Sequence, residues 1–96
     1  MISLVSPTKG KRTHTNVTAT TAAGVLVAAN GNRKTVTFQN KGAVTVFLGK
    51  SDVATSGSAG GYALFAGASF TDNASTEAWY AIAASSTAVV HVIEVG

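Results

Sequence analysis

Polar and apolar residues alternate along Thr35-Val36-Thr37-Phe38-Gln39, the period of two that marks a strand buried on one face. Val44-Thr45-Val46-Phe47-Leu48 runs back in the same style, and Gly49 closes it. Asn40-Lys41-Gly42 lies between them and offers turn chemistry, because Asn and Gly tolerate positive φ. The two runs are expected to pair as a hairpin that seeds a sheet. Other short apolar or β-branched runs flank it: Val17–Thr21, Val25–Ala29, Tyr62–Ala66, Ser69–Thr71, Glu77–Ala83 and Ala88–Val95. Turn signals separate them at Ala22–Gly24, Asn30–Asn32, Gly67, Asp72–Thr76 and Ser85–Thr87. Ser51–Gly61 reads as a loop with Val53 as its anchor. No stretch sustains a 3.6-residue period. The pattern predicts an all-β fold, an antiparallel β-sandwich of jelly-roll-like form with roughly seven or eight strands. Its expected core is Val36, Phe38, Val46, Leu48, Tyr80, Ile82, Val90 and Val92.

Before Val17 the pattern lapses. Met1–Asn16 has one apolar patch around Ile2, Leu4 and Val5, then Pro7 and a basic run with Lys9, Lys11, Arg12 and His14. Residues 1–16 are therefore expected to form an extended N-terminal arm, and residues 17–96 the sandwich. The apolar run is too short for a signal peptide and far short of a membrane span. Synthesis in the cytoplasm without export is the expectation, with no membrane partner.

The last strand carries a second message. Val90 and Val92 share one face, while Val89, His91, Ile93 and Val95 share the other. A strand with one solvated face should be polar there. An apolar outer face in a 96-residue domain points to a subunit interface, so a homo-oligomer is expected. Composition adds weight. Ala, Thr, Gly and Ser supply about half of the chain, and only 11% of residues are charged, against roughly a quarter in ordinary soluble domains. Such a surface resists association poorly. All seven Lys and Arg lie before Ser51 and all four acids after it. A basic front half suits an acidic protein surface or a nucleic acid.

Catalytic chemistry is sparse. The absence of cysteine removes disulfides, thiolate chemistry and Cys-based zinc sites. His14 and His91 are the only side chains suited to acid–base work near neutrality, and no partner set accompanies either. Asp52, Asp72, Glu77 and Glu94 are scattered, with neither calcium-loop nor paired-carboxylate spacing. Gly57–Gly61 lacks the Lys-Ser/Thr ending of a phosphate loop. Tyr62, Phe65, Phe70, Trp79 and Tyr80 suit a core, an interface, or stacking on a base or sugar. No enzyme, metal site or cofactor is expected.

The stretch from Ala28 onward resembles a pattern found in small tailed-phage virion proteins. It is carried by Asn30-Gly31-Asn32-Arg33-Lys34-Thr35-Val36-Thr37-Phe38-Gln39-Asn40, by Val46-Phe47-Leu48-Gly49, and by Ser51–Ser56. It continues through Ala66-Gly67-Ala68-Ser69, Trp79-Tyr80-Ala81-Ile82-Ala83 and Val90-His91-Val92-Ile93-Glu94. The resemblance implies a β-sandwich module of a head decoration (cement) protein. Such a protein sits on the capsid exterior, commonly as a trimer, and clamps neighbouring major capsid subunits. Nucleic acid is then not a partner. Ile2, Leu4, Val5, Lys9, Lys11 and Arg12 would meet the capsid, and Val89, His91, Ile93 and Val95 the neighbouring subunits. The alternative within the resemblance is a tail or head-fibre module that binds a host glycan. That role would need Trp79 or Tyr62 in a groove with polar partners.

Overall fold

The computed structural model describes residues 11–96. Eight strands follow in order: β1 (Arg12–Ala19), β2 (Gly24–Val27), β3 (Thr35–Asn40), β4 (Val46–Gly49), β5 (Tyr62–Leu64), β6 (Ser69–Asp72), β7 (Trp79–Ala83) and β8 (Ala88–Val95). They build two four-stranded sheets, β1-β8-β3-β6 and β2-β7-β4-β5. Every strand pairing is antiparallel. The sheets face each other as a β-sandwich. Their inner faces share one core of Leu26, Val36, Phe38, Val46, Leu48, Leu64, Val90 and Val92, with the small Ala19, Ala81, Ala83 and Ala88. Val53 is buried as the anchor of its loop, as its isolation among small polar residues implies.

Three sequence expectations are corrected. First, β3 and β4 are not a hairpin. β3 pairs with β6 and β8, and β4 pairs with β5 and β7, so the turn between them crosses from one sheet to the other. Asn40 causes this. Its side chain is fully buried, donates from Nδ2 to the carbonyls of Val44 at 2.8 Å and Leu64 at 2.9 Å, and accepts the Gly42 N–H at 2.9 Å. Gly42 has no room for a side chain, because a Cβ there would lie 2.6 Å from that of Ala88.

Second, Tyr80 and Ile82 are not core residues. In β7 the buried pair is Ala81 and Ala83, with Trp79 in the same register packing on the core. The interior is already filled by Phe38, Leu26, Leu48 and Leu64, and small side chains fit beside them where Tyr and Ile would overpack. Third, Arg12–Asn16 are not arm. They form the first half of β1 and pair with His91–Val95 of β8. The rest of the expected arm, with Ile2, Leu4, Val5 and Lys9, lies outside the described residues.

Among the described strands, only the β4–β5 connection stays within one sheet. The other connections cross between sheets that share no ladder, so polar groups at the two ends must hold them. At one end Asn40 ties the β3–β4 crossing to the end of β5. Its own carbonyl accepts the Gly67 N–H at 2.7 Å, which fixes the β5–β6 turn. Gly67 adopts φ +82° there, a conformation glycine reaches without steric cost.

The other end is tied by Arg33. Its buried guanidinium donates to Glu94 Oε2 at 2.8 Å, to the carbonyls of Ala28 at 2.6 Å and Glu77 at 2.8 Å, and to that of Ser75 at 3.3 Å. Asn30 joins the same carboxylate at 3.3 Å. One side chain thereby fixes the β2–β3 and β6–β7 crossings against β8.

Candidate interaction surfaces

Alternation places the residues that are not in the core on two outer sheet faces. On the β1-β8-β3-β6 sheet, the outward row of β8 is Val89, His91, Ile93 and Val95, the set expected from sequence to share a face. Val89 is 40% exposed. The rows beside it are polar but nearly uncharged: Arg12, His14, Asn16 and Thr18 on β1, and Thr35, Thr37 and Gln39 on β3. Thr37 and Thr71 share a hydrogen bond of 2.8 Å across to β6. His91 Nδ1 lies 3.0 Å from Asn16 Oδ1, and the ring stacks on His14 with centroids 5.7 Å apart. Among the described residues, no hydrogen bond or ion pair joins either histidine to a carboxylate. Lys11 and Arg12 sit at the margin of this face, where Lys11 exchanges backbone hydrogen bonds with Gly96.

The second outer face was hidden from sequence reasoning by the inverted reading of β7. Tyr80 and Ile82 point out of the β2-β7-β4-β5 sheet. Register sets Val25 and Gly49 beside Tyr80, and Phe47 beside Ile82 with Ala63 beyond it. Val25 is 51% exposed. These strand positions carry no charged side chain. The signal that reveals this face is Phe47, which alternates against the buried Val46 and Leu48.

A third feature lies at the Arg33 end, between the β4–β5 loop and the β6–β7 connection. A groove of about 410 Å³ there is lined by Lys50, Asp52, Ser58, Tyr62 and Trp79, together with backbone of the loop. A shoulder of about 200 Å³ continues past Trp79 to Ser75 and Glu77. Trp79 is held from several sides. Its ring meets Phe38 and Phe70 edge-on, with centroids 5.8 and 5.5 Å away, and its Nε1–H donates to Asp72 Oδ2 at 2.9 Å.

Burial pushes the Asp72 carboxyl up. The Ala74 N–H, the Trp79 indole N–H, the Arg33 guanidinium and the Ser75 N–H outweigh it, so the group sits below the usual carboxylate range. A carboxyl depressed on folding adds stability that is present above its unfolded value, about 3.9, and is lost as pH falls through the folded one. Acidification is therefore expected to release the indole only below about pH 4. Trp79 is the only tryptophan, so its emission reports the event directly. An Asp72→Asn variant should lose that acid transition, and an unchanged transition would remove Asp72 as its source.

Among the described residues, no three His, Asp or Glu side chains converge to hold a metal ion, and no helix is long and apolar enough to cross a membrane. No family model matches the chain, and no curated protein or solved structure matches it.

Proposed function

We propose that this chain is a structural protein of a tailed-phage virion, a decoration protein that binds the capsid exterior as a homotrimer and bridges neighbouring major capsid subunits. The observation that carries the reading is the pair of outer faces. A domain of this size holds apolar residues outside both sheets and almost no charge upon them, as suits a chain covered by partners on two sides. The strand orders β1-β8-β3-β6 and β2-β7-β4-β5 support the jelly-roll form, an eight-stranded architecture recurrent in viral capsid domains. The resemblance of the Asn30–Glu94 stretch to virion modules supports the same reading.

In this reading Val89, His91, Ile93 and Val95 join the trimer, and the face of Val25, Phe47, Tyr80 and Ile82 is left for the capsid, together with Ile2, Leu4, Val5, Lys9, Lys11 and Arg12. An Ile93→Asp variant is expected to be monomeric at concentrations where the parent is trimeric. Burying an unpaired carboxylate costs several kcal/mol, about a hundredfold or more in association. Sedimentation equilibrium measures this. A parent chain that is monomeric both in solution and on heads would end the trimer reading.

The capsid role is tested by adding the chain to undecorated heads. The full chain should co-sediment with heads and raise the temperature at which they rupture, and it should not bind isolated tails. A chain beginning at Lys11 keeps all of β1, which begins at Arg12, and should fold but bind more weakly. Burying Ile2, Leu4 and Val5 would contribute about 1.5–3 kcal/mol each before ordering costs, against about 0–1 for each exposed ion pair. The loss should therefore persist at high salt. Equal binding by the shortened chain would assign the contact to the sandwich alone.

A further inference from the structure

We infer that the groove beside Trp79 is a binding site for a neutral saccharide. The inference goes beyond the structural role proposed above, and it stands or falls apart from where in a virion the chain sits.

Two aromatic side chains frame the groove, Tyr62 and Trp79. Tyr62 is 56% exposed. It leans on Phe70 with centroids 4.9 Å apart and planes tilted by 41°, and it lines the groove. Trp79 is held by its edge contacts with Phe38 and Phe70 and by the bond to the Asp72 carboxylate. An aromatic surface held in place offers the C–H face of a sugar ring a contact at reduced ordering cost.

The polar groups around them are mixed. Lys50 donates, Asp52 and Glu77 accept, and the Ser58 hydroxyl does both. No hydrogen bond or ion pair among the described residues engages the side chains of Lys50, Asp52 or Glu77. Sugar hydroxyls are donors and acceptors together, so this set satisfies them. A phosphate or carboxylate ligand would meet two acids against one lysine. A purely apolar ligand would leave all four groups unanswered. The volume lies within the range of small-molecule sites, and Arg33 holds the Ser75 and Glu77 backbone that forms the shoulder.

Titration of Trp79 emission tests the site. The probes are maltose, cellobiose, lactose and chitobiose, with sialyllactose and glucose 1-phosphate as anionic counterparts. At least one neutral disaccharide is expected to give a saturable change. Tyr62→Ala should raise its Kd by about tenfold or more, and Asp52→Asn by severalfold, while Asn16→Ala on the outer face leaves it unchanged. Both groove positions are exposed, and thermal melts would confirm that the variants stay folded. Three outcomes overturn the inference: no neutral probe saturates up to about 10 mM, only the anionic probes bind, or binding survives both groove substitutions.

Discussion

Replacing Arg33 with Met is expected to cost about 3–5 kcal/mol of folding stability, the range seen when one member of a buried ion pair is removed. That is a large share of the roughly 5–15 kcal/mol that holds a domain together. Met fills similar space, so the loss is not a cavity effect. Glu94 would keep its charge in a site where its side chain is 17% exposed, with only Asn30 left to bond it. The carbonyls of Ala28, Ser75 and Glu77 would lose their donor as well. Arg33→Lys should recover only part of the loss, because a single ammonium cannot reproduce a planar fork that serves four acceptors. Urea unfolding at neutral pH measures both variants. A loss below about 1 kcal/mol for Arg33→Met would show that the end of the sandwich is held by its apolar contacts and that the guanidinium is incidental. The functional consequence follows from the same bonds. Ser75 and Glu77 belong to the shoulder of the Trp79 groove, so Arg33→Met is expected to disturb Trp79 emission even under conditions where the chain stays folded.

The strands were legible in the sequence because alternation is a local property. Thr35–Asn40 and Ala88–Val95 show which residues go inward without reference to anything else, and the outward set Val89, His91, Ile93 and Val95 follows from that parity. Pairing is not local. Asn40-Lys41-Gly42 reverses the chain whether the next strand lies beside β3 or across the core. The crossing corner is held by two bonds from Asn40, the buried one to Leu64 far along the chain. In β7 all five residues are apolar, so alternation is silent and side-chain size misleads. The larger Tyr80 and Ile82 are outside because the inside is already full. The opposite failure occurs in β1, where Arg12–Asn16 are all polar and exposed. That segment is a strand because β8 offers it a ladder, and a partner's edge leaves no trace in the segment's own composition. The Arg33 knot did leave a trace. Glu94 falls in the inward register of Ala88, Val90 and Val92, and a carboxylate at an inward position calls for a buried cation. The groove needed the three-dimensional fold, since it joins the β4–β5 loop to Trp79 and Glu77.

Exchange of Asn40 for Leu is expected to cost about 3 kcal/mol or more, from two carbonyls and one N–H left without partners at roughly 1–3 kcal/mol each. Leu is close in volume, so packing is nearly conserved and the loss reports the hydrogen bonds. Asn40→Asp makes the sharper test. Its carboxylate would keep the Gly42 N–H but would face the carbonyl oxygens of Val44 and Leu64, which now receive a donor from Nδ2. Among the described residues no ion pair reaches that fully buried position, so the carboxyl would titrate above its unfolded value. The sign is then the reverse of that for Asp72. Stability lost to Asn40→Asp should be greatest at neutral pH, and it should shrink as pH falls through the raised folded value, where the protonated acid can donate to one of the two carbonyls. The quantity to compare is the difference from the parent chain at each pH, because Asp72 loses its own contribution in acid. If the penalty is flat between about pH 7 and pH 4, the new carboxylate has reached water. The corner that sends β4 to the opposite sheet would then be looser than its bonds imply, and the two sheets would be joined there chiefly by Gly42 packing on Ala88.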